Sequence, residues 1–277
     1  MAQTYAAAHL KELDERFFTE SKTDLIVNKG MRLDFNGKNS VTIYNVDVVA
    51  ESDYTRSGSN RFGALVELGT GTQTFTLSQD KAFTFTVDRG NLEDSMMVQE
   101  VAKAVKRQVR EVSVPNTDIY RLAALSTYAN SNSQVATSAL AASDVYSKIL
   151  VQQAAMDDDE VPEDGRVLFV TPTTLNLLKR DPEFQKDCDT SYKDLKKGIV
   201  GMVDNLTIVK APASYFVANF GFMIVHEKTL VSPVKFNSVR ILDEVQGIDG
   251  HVAEGRRYYD AFIPTNKADG IRLHKIA

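Results

Sequence analysis

A long polar excursion between two strand-like segments constrains this chain more than any other feature. Residues that alternate between apolar and polar precede the excursion at 41–43 and follow it at 75–77 and 83–87, which is typical of strands with two unlike faces. Residues 51–73 are rich in Gly, Ser, Thr and Asn and have no continuous apolar face. A hairpin arm of this kind is marginal in isolation, because it buries little of its own surface. We therefore expect a neighbouring molecule to hold it.

The clearest long helix follows over residues 91–112. Asn91 is a suitable N-cap, and Val residues recur after it at helical spacing. Val114-Pro115 is expected to end this helix, and Asn116 or Thr117 to cap the next one. The C-terminal half carries four basic residues, which suit the helix dipole and face either solvent or a polyanion: Lys103, Lys106, Arg107 and Arg110.

The composition excludes several classes of protein. A formal charge of −5 and a pI of about 5.5 argue against a surface that binds nucleic acid all over, although a local basic patch remains compatible. Cys188 is the single cysteine, so neither an intramolecular disulfide nor a cysteine metal site is expected. No signal peptide is recognisable, and no apolar run approaches the roughly 18 residues of a membrane span. The sequence therefore predicts a protein made in the cytoplasm, with no membrane partner.

The common constellations of catalysis are not found in the sequence. The four histidines lack metal-ligand spacing, and no nucleophile elbow, zinc-binding helix motif, Walker loop or dinucleotide fingerprint occurs. We expect no catalytic residues, no metal and no cofactor. Together with the polar arm, this favours a structural or assembly protein over an enzyme.

The rest of the chain mixes helices and strands. Residues 166–170 form a short, continuously apolar segment, as expected for a central buried strand, and a helix follows from Pro172. Further strands are predicted near 205–210, 222–225, 234–242, 255–263 and 271–276. The last of these are expected to share one sheet region with the arm at 40–88. This arrangement predicts a mixed α+β fold.

Three runs of residues, taken in order, resemble a known family. The first is Asp53-Tyr54-Thr55-Arg56, which leads through Gly63 into 72–77. The second is Asp80-Lys81-Ala82-Phe83-Thr84-Phe85-Thr86-Val87-Asp88, followed by the long helix and then Pro115-Asn116-Thr117-Asp118-Ile119-Tyr120-Arg121. The third is Arg166-Val167-Leu168-Phe169-Val170-Thr171-Pro172. This order resembles the major capsid proteins of tailed bacteriophages, which share the HK97-like fold.

The resemblance implies a domain plan for an α+β chain. It implies an N-terminal arm at 1–35 and an axial domain at 117–235. It also implies a peripheral domain formed by 36–116 and 236–277. That domain would include an extended loop at 48–78 and a spine helix at 91–112.

The resemblance also implies a function. Copies of the chain would assemble into the pentamers and hexamers of an icosahedral shell around double-stranded DNA. Portal and separate scaffolding proteins would be further partners, and the protein would assemble in the host cytoplasm and reside in the virion. The spine residues Lys103, Lys106, Arg107 and Arg110 would be candidates to face DNA. The extended loop would contact a neighbouring subunit through Asp53, Tyr54, Arg56, Arg61 and Phe62.

Some relatives cross-link a lysine in the loop to an asparagine of a neighbour. Lys38 and Lys81 are the lysines closest to the loop, and none lies between Glu51 and Gln79. We therefore predict that this chain forms no autocatalytic cross-link.

Three other readings remain open from the sequence. An encapsulin-type compartment would use the same fold to enclose protein cargo. A soluble hydrolase or transferase would have an unrecognised site within 160–230. A tail or other virion protein would form tubes or rings in place of closed shells.

Overall fold

The computed structural model describes residues 21–30, 33–36, 39–94, 101–182, 184, 199–203 and 205–277. Residues 1–20 of the predicted N-terminal arm and Cys188 lie outside these residues. The chain divides into two compact units. One contains residues 30–78, and the other contains 79–277 together with the segment that precedes residue 30. Each unit is considered by itself below.

The smaller unit is a three-stranded antiparallel sheet with a long loop. Its strands are β1 (Asp34–Asn36), β2 (Ser40–Val46) and β3 (Thr70–Thr76), in the order β1-β2-β3. Val41 and Ile43 on β2 are buried, while Tyr44 and Val46 toward its end are exposed. The apolar interior is therefore confined to the base of the hairpin, as the polar excursion predicts.

The larger unit contains a six-stranded sheet in the order β5-β12-β9-β6-β8-β7. Strand β6 is flanked by β8, which runs parallel to it, and by β9, which runs antiparallel. The predicted central strand at 166–170 is thus confirmed, and all five of its residues are buried. The strands are β5 (Val135–Thr137), β6 (Arg166–Val170), β7 (Ile199–Val203), β8 (Leu206–Lys210), β9 (Phe220–His226) and β12 (Ile271–Lys275).

Helices cover both faces of this sheet, which explains the uninterrupted apolar run. Val167 and Phe169 point into one core, where Leu122 and Leu125 of helix α3 (Val114–Ser131) lie. Leu168 and Val170 point into the other, which contains residues of α4 (Val145–Asp158) and α5 (Pro172–Leu178). Since side chains alternate across a strand, the apolar residues at 167–170 serve two buried faces.

A second sheet in the larger unit has the order β10-β11-β4. It consists of β4 (Gln79–Asp88), β10 (Val234–Val245) and β11 (Ile248–Tyr259), all antiparallel. Val87 and Ala253 on this sheet pack against Val101 of helix α2 (Val101–Gln108). The prediction that 40–88 shares one sheet with the C-terminal strands is therefore correct for β4 and wrong for β2 and β3, which pair with β1.

The helical region differs from the prediction at both ends. Helix α1 (Arg89–Asp94) begins two residues before Asn91, and the Asp88 carboxylate accepts a hydrogen bond of 2.9 Å from the Gly90 N–H. At the other end the helix does not stop near residue 112. A π-helical turn (Val109–Ser113) continues α2 directly into α3, and both Ser113 and Val114 have helical backbone angles.

Pro115 explains the π-helical turn. Proline has no N–H, and in an α-helix its ring would clash with the carbonyl four residues earlier, which belongs to Glu111. In the wider turn the Val114 N–H bonds instead to the Val109 oxygen. The prediction that Val114-Pro115 ends the helix is wrong because a single widened turn accommodates the proline without breaking the rod.

The C-terminal strand corrects the predicted grouping of residues 236–277. Strand β12 pairs antiparallel with β9 and parallel with β5, so it completes the six-stranded sheet. Within that range, only β10 and β11 belong to the sheet β10-β11-β4. Packing explains why β12 joins the six-stranded sheet, because Ile271 and Leu273 are fully buried in the core beneath α3.

Candidate assembly surface

The loop at 47–69 connects β2 to β3 and is closed by backbone hydrogen bonds, but it encloses no core. The Asp47 N–H bonds to the Gly69 oxygen at 3.0 Å where the loop leaves the strands. Nearer the tip the Thr55 N–H bonds to the Arg61 oxygen at 3.0 Å, and Gly58 has a φ of +100°, a conformation that glycine adopts most easily. These bonds give the loop a defined path without any interior.

The predicted contact residues lie near the tip of the loop. The rings of Tyr54 and Phe62 meet edge to face with centroids 4.9 Å apart, yet Phe62 is 83% exposed. Arg61 donates to the Gly58 oxygen at 3.2 Å, and the side chains of Asp53 and Arg56 are also exposed. The structure therefore brings Tyr54 and Phe62 into contact and leaves all five residues exposed. Their contact with a neighbouring subunit stays a prediction.

Aliphatic residues that the sequence analysis passed over are the most exposed part of the loop. Val48 is 95% exposed and Leu65 is 103% exposed. Val66 and Leu68 are exposed as well. Leu65, Val66 and Leu68 are recognisable as a group of apolar residues in a polar segment. Exposed apolar surface of this kind marks a binding surface, because water solvates it poorly.

The four basic residues of the predicted spine lie on α2 and the π-helical turn. Lys103, Lys106 and Arg110 are exposed. Arg107 is partly buried, and its Nε donates to Glu111 Oε1 at 3.0 Å. Arg107 is therefore engaged within the chain. Exposure alone does not assign any of them to DNA, and that role stays a prediction.

Two residues of the motif at 115–121 hold the segment 21–24 in place through hydrogen bonds. Asp118 is buried and accepts hydrogen bonds from the Ser21 hydroxyl at 2.8 Å, the Lys22 N–H at 2.8 Å and the Thr23 hydroxyl at 2.6 Å. Arg121 donates to Asp24 Oδ1 at 2.8 Å. These partners lie nearly 100 residues away, so no local pattern in the sequence indicates them.

Tyr120 and Arg121 also bind the two segments of chain that connect the six-stranded sheet with the sheet β10-β11-β4. The Tyr120 hydroxyl donates to Asp260 Oδ1 at 2.5 Å, just after β11 ends. Arg121 Nε donates to Ser232 Oγ at 3.1 Å, just before β10 begins. One turn of α3 thus holds both connections, and it serves as a rigid junction within the larger unit.

The described residues contain one pair that resembles part of a catalytic triad. Ser138 Oγ lies 2.9 Å from His274 Nε2, but His274 Nδ1 is buried and has no hydrogen-bond partner among the described residues. We place the imidazole hydrogen on Nε2, because an unpaired buried N–H costs more than an unpaired lone pair. Nε2 then donates to Ser138 and cannot accept its proton, so the pair is structural.

Burial lowers the pKa of both His274 and His226 below the usual 6.5, and nearby Lys148 lowers that of His274 further, while Asp144 raises it. The unfolded chain therefore binds more protons than the folded chain between pH 6.5 and the lowered pKa of each folded histidine. Both residues contribute stability that is present above pH 6.5 and is lost as pH falls from 6.5 through the lowered pKa, by at most about 1.4 kcal/mol per pH unit for each proton.

Urea unfolding of the isolated subunit between pH 7 and pH 5 measures this loss. The His274→Gln variant should show a shallower pH slope than the wild type. Equal slopes in wild type and His274→Gln would contradict the assignment.

No metal-binding cluster of His, Cys, Asp and Glu occurs in the described parts of the chain. Nor does any helix within those parts have the length and apolarity needed to cross a membrane.

Comparison of the whole structure with solved structures identifies the fold. The asymmetric unit of the bacteriophage PhiM1 mature capsid superposes with a TM-score of 0.67 at 13% identity, covering 99% of this chain and 92% of that one. The capsid structure of the cyanophage P-SCSP1u gives 0.68 at 9% identity, with 99% and 93% covered. A chain of Microbacterium phage Oxtober96 gives 0.72 at 10% identity, with 98% and 96% covered.

The chain therefore has the α+β fold of phage capsid proteins, and the fold class predicted from the sequence is confirmed. No family model matches the sequence. No curated protein matches it either.

Proposed function

We propose that this protein is a major capsid protein that assembles into the pentamers and hexamers of an icosahedral shell enclosing double-stranded DNA. The observation that carries the proposal is the likeness to a mature phage capsid over 99% of this chain and 92% of the other. The role is structural, and catalysis has no part in it.

The exposed loop supports the same proposal. Large aliphatic side chains at 48 and 65–68 lie in solvent in a single copy. In a shell each loop would cover an adjacent subunit, and its apolar surface would be buried between chains. Weak contacts repeated around a closed shell give high collective stability.

The domain plan is proposed in a revised form. The peripheral domain corresponds to the sheet β10-β11-β4 with the helices α1 and α2, together with the smaller unit at 30–78 that carries the loop. The six-stranded sheet with α3, α4, α5 and the terminal strand β12 corresponds to the axial domain. The exposed basic residues Lys103, Lys106 and Arg110 remain our candidates for contact with packaged DNA. Portal and scaffolding proteins are the expected partners during assembly in the host cytoplasm, and the virion is the final location.

Expression of the chain, alone and with the products of neighbouring genes, tests the function. We expect particles or capsomers that sediment far faster than a 30.7 kDa monomer. Particles that contain DNA support a capsid. Protein cargo inside them, or a monomer at every concentration, would contradict the proposal.

Assembled particles should contain no covalent links between subunits. The loop residues 47–69 include no lysine, so the nucleophile for an amide bond between chains is missing there. Particles boiled in denaturant with a reducing agent should give one band near 31 kDa. A ladder of covalent oligomers would show this prediction to be wrong.

A further inference from the structure

An open groove of about 460 Å³ lies between the helix at 108–123 and the strands β4 and β11. Its walls are about equally apolar and polar, and two basic side chains reach it. None of the described residues that line it is Asp or Glu, although the whole chain carries a net charge of −5. The lining residues used below are Lys81, Phe83, Val112, Ile119, Arg257 and Tyr259.

Arg257 carries a half-buried positive charge that no carboxylate neutralises within the described chain. Its Nη1 donates to Thr117 Oγ1 at 3.0 Å, and its Nη2 donates to the Ser113 oxygen at 3.0 Å, so both acceptors are neutral. The guanidinium also stacks on the Tyr259 ring at 5.4 Å. Burial lowers the pKa of Arg257. Buried charges in proteins are normally paired, because an uncompensated one is costly.

A second groove over the same sheet provides a comparison. It is lined by residues that include Arg240, Glu254 and Arg256. Arg240 bonds to Glu254 with Nε 2.7 Å from Oε2, and Arg256 bonds to Asp80 with Nε 2.9 Å from Oδ1. Charges in that groove are matched within the chain. The groove at Arg257 differs because its positive charge is left for an incoming group.

The loop offers a segment of complementary chemistry. Glu67 lies between Val66, which is 64% exposed, and Leu68, which is 58% exposed. Its own side chain is exposed, and no ion pair of the described chain involves it. A carboxylate flanked by aliphatic side chains matches a groove with apolar residues and a guanidinium, with which carboxylates form paired hydrogen bonds.

We propose that Glu67 of one copy docks in the Arg257 groove of a second copy. Its carboxylate meets Arg257 and Lys81, and Val66 and Leu68 pack near Phe83, Val112 and Ile119. The inference rests on the proposed shell, because it requires two copies held side by side. It assigns a specific receptor for the exposed loop. Docking between copies would both neutralise the half-buried charge and remove the aliphatic residues from water.

Charge exchange tests the pairing. Lys81 is the better site for substitution, because it is exposed, whereas Arg257 also holds the Ser113 carbonyl. Lys81→Glu and Glu67→Lys should each raise the protein concentration needed for assembly by about fivefold, and the double variant should return it to within about twofold. Lys210→Glu and Glu163→Lys, which exchange exposed charges outside the loop and outside the groove, are the controls and should have little effect.

A disulfide provides a second and more direct measurement. Glu67→Cys with Lys81→Cys, in a Cys188→Ser background, should give covalent oligomers in assembled particles under oxidising conditions, reversed by reductant. Particles without these links, with no recovery in the charge-exchanged double variant, would overturn the docking and leave the shell function standing. A disulfide within one chain would also overturn it. Failure of the wild type to assemble would instead count against the proposed function.

Discussion

Deleting residues 48–68 and joining Asp47 to Gly69 through an Asn-Gly turn is expected to leave a folded subunit that no longer forms stable shells. Asp47 and Gly69 are already hydrogen bonded at 3.0 Å, so a short turn can close the hairpin there. The buried residues of the small sheet lie outside the deleted segment. The threshold concentration for assembly should rise by about two orders of magnitude, because each deleted loop removes its contacts from every copy in the shell.

Sedimentation and circular dichroism together measure this effect. A triple variant with Ser in place of Leu65, Val66 and Leu68 is the matched control for chain length, and it should impair assembly through the loss of apolar contacts alone. If the deleted chain unfolds, the loop contributes to the core of its own subunit. If it assembles as the wild type does, the loop has no part in the shell.

Replacing Arg166 by Met should lower the free energy of unfolding by about 3 kcal/mol, since it breaks a buried network of hydrogen bonds. The Arg166 side chain is fully buried. It donates to Asp157 Oδ1 at 2.6 Å and to the Pro162 oxygen at 3.0 Å, and it also reaches the oxygens of Val161 and Gln153. Without the guanidinium, the carbonyls that follow α4 lose their donor.

Arg240→Met is the matched control, because Arg240 pairs with Glu254 while its side chain is 70% exposed. That change should cost less than about 1 kcal/mol. Urea unfolding of both variants gives the comparison. An effect of Arg166→Met as small as that of Arg240→Met would mean that the buried arginine is not a structural anchor.

Much of the fold is readable from local patterns. Alternation between apolar and Thr or Ser located β4 and the end of β3, while residues 70–73, which their polar composition assigns to the excursion, belong to β3. The apolar run at 167–170 located the centre of the six-stranded sheet. The polar excursion correctly located the loop, because a segment without an apolar face cannot enter a core. These features depend on neighbouring residues, and the sequence contains that information directly.

Other features depend on partners that are distant in the sequence. A proline such as Pro115 normally ends a helix. Here a π-helical turn accommodates it, because α2 before the turn and α3 after it are each held by packing against a core. The acidic residues at the end of α4 find their partners outside that helix, since Asp157 pairs with Arg166 and Asp159 pairs with Arg272. The unpaired charge of Arg257 could be recognised only after its surroundings were known.

The most direct test of the central claim is a cryo-electron microscopy reconstruction of particles formed by this chain. The account predicts closed icosahedral shells of pentamers and hexamers, in which the loop at 47–69 of each copy lies on an adjacent copy. A monodisperse monomer under all assembly conditions, or open tubes, would contradict it.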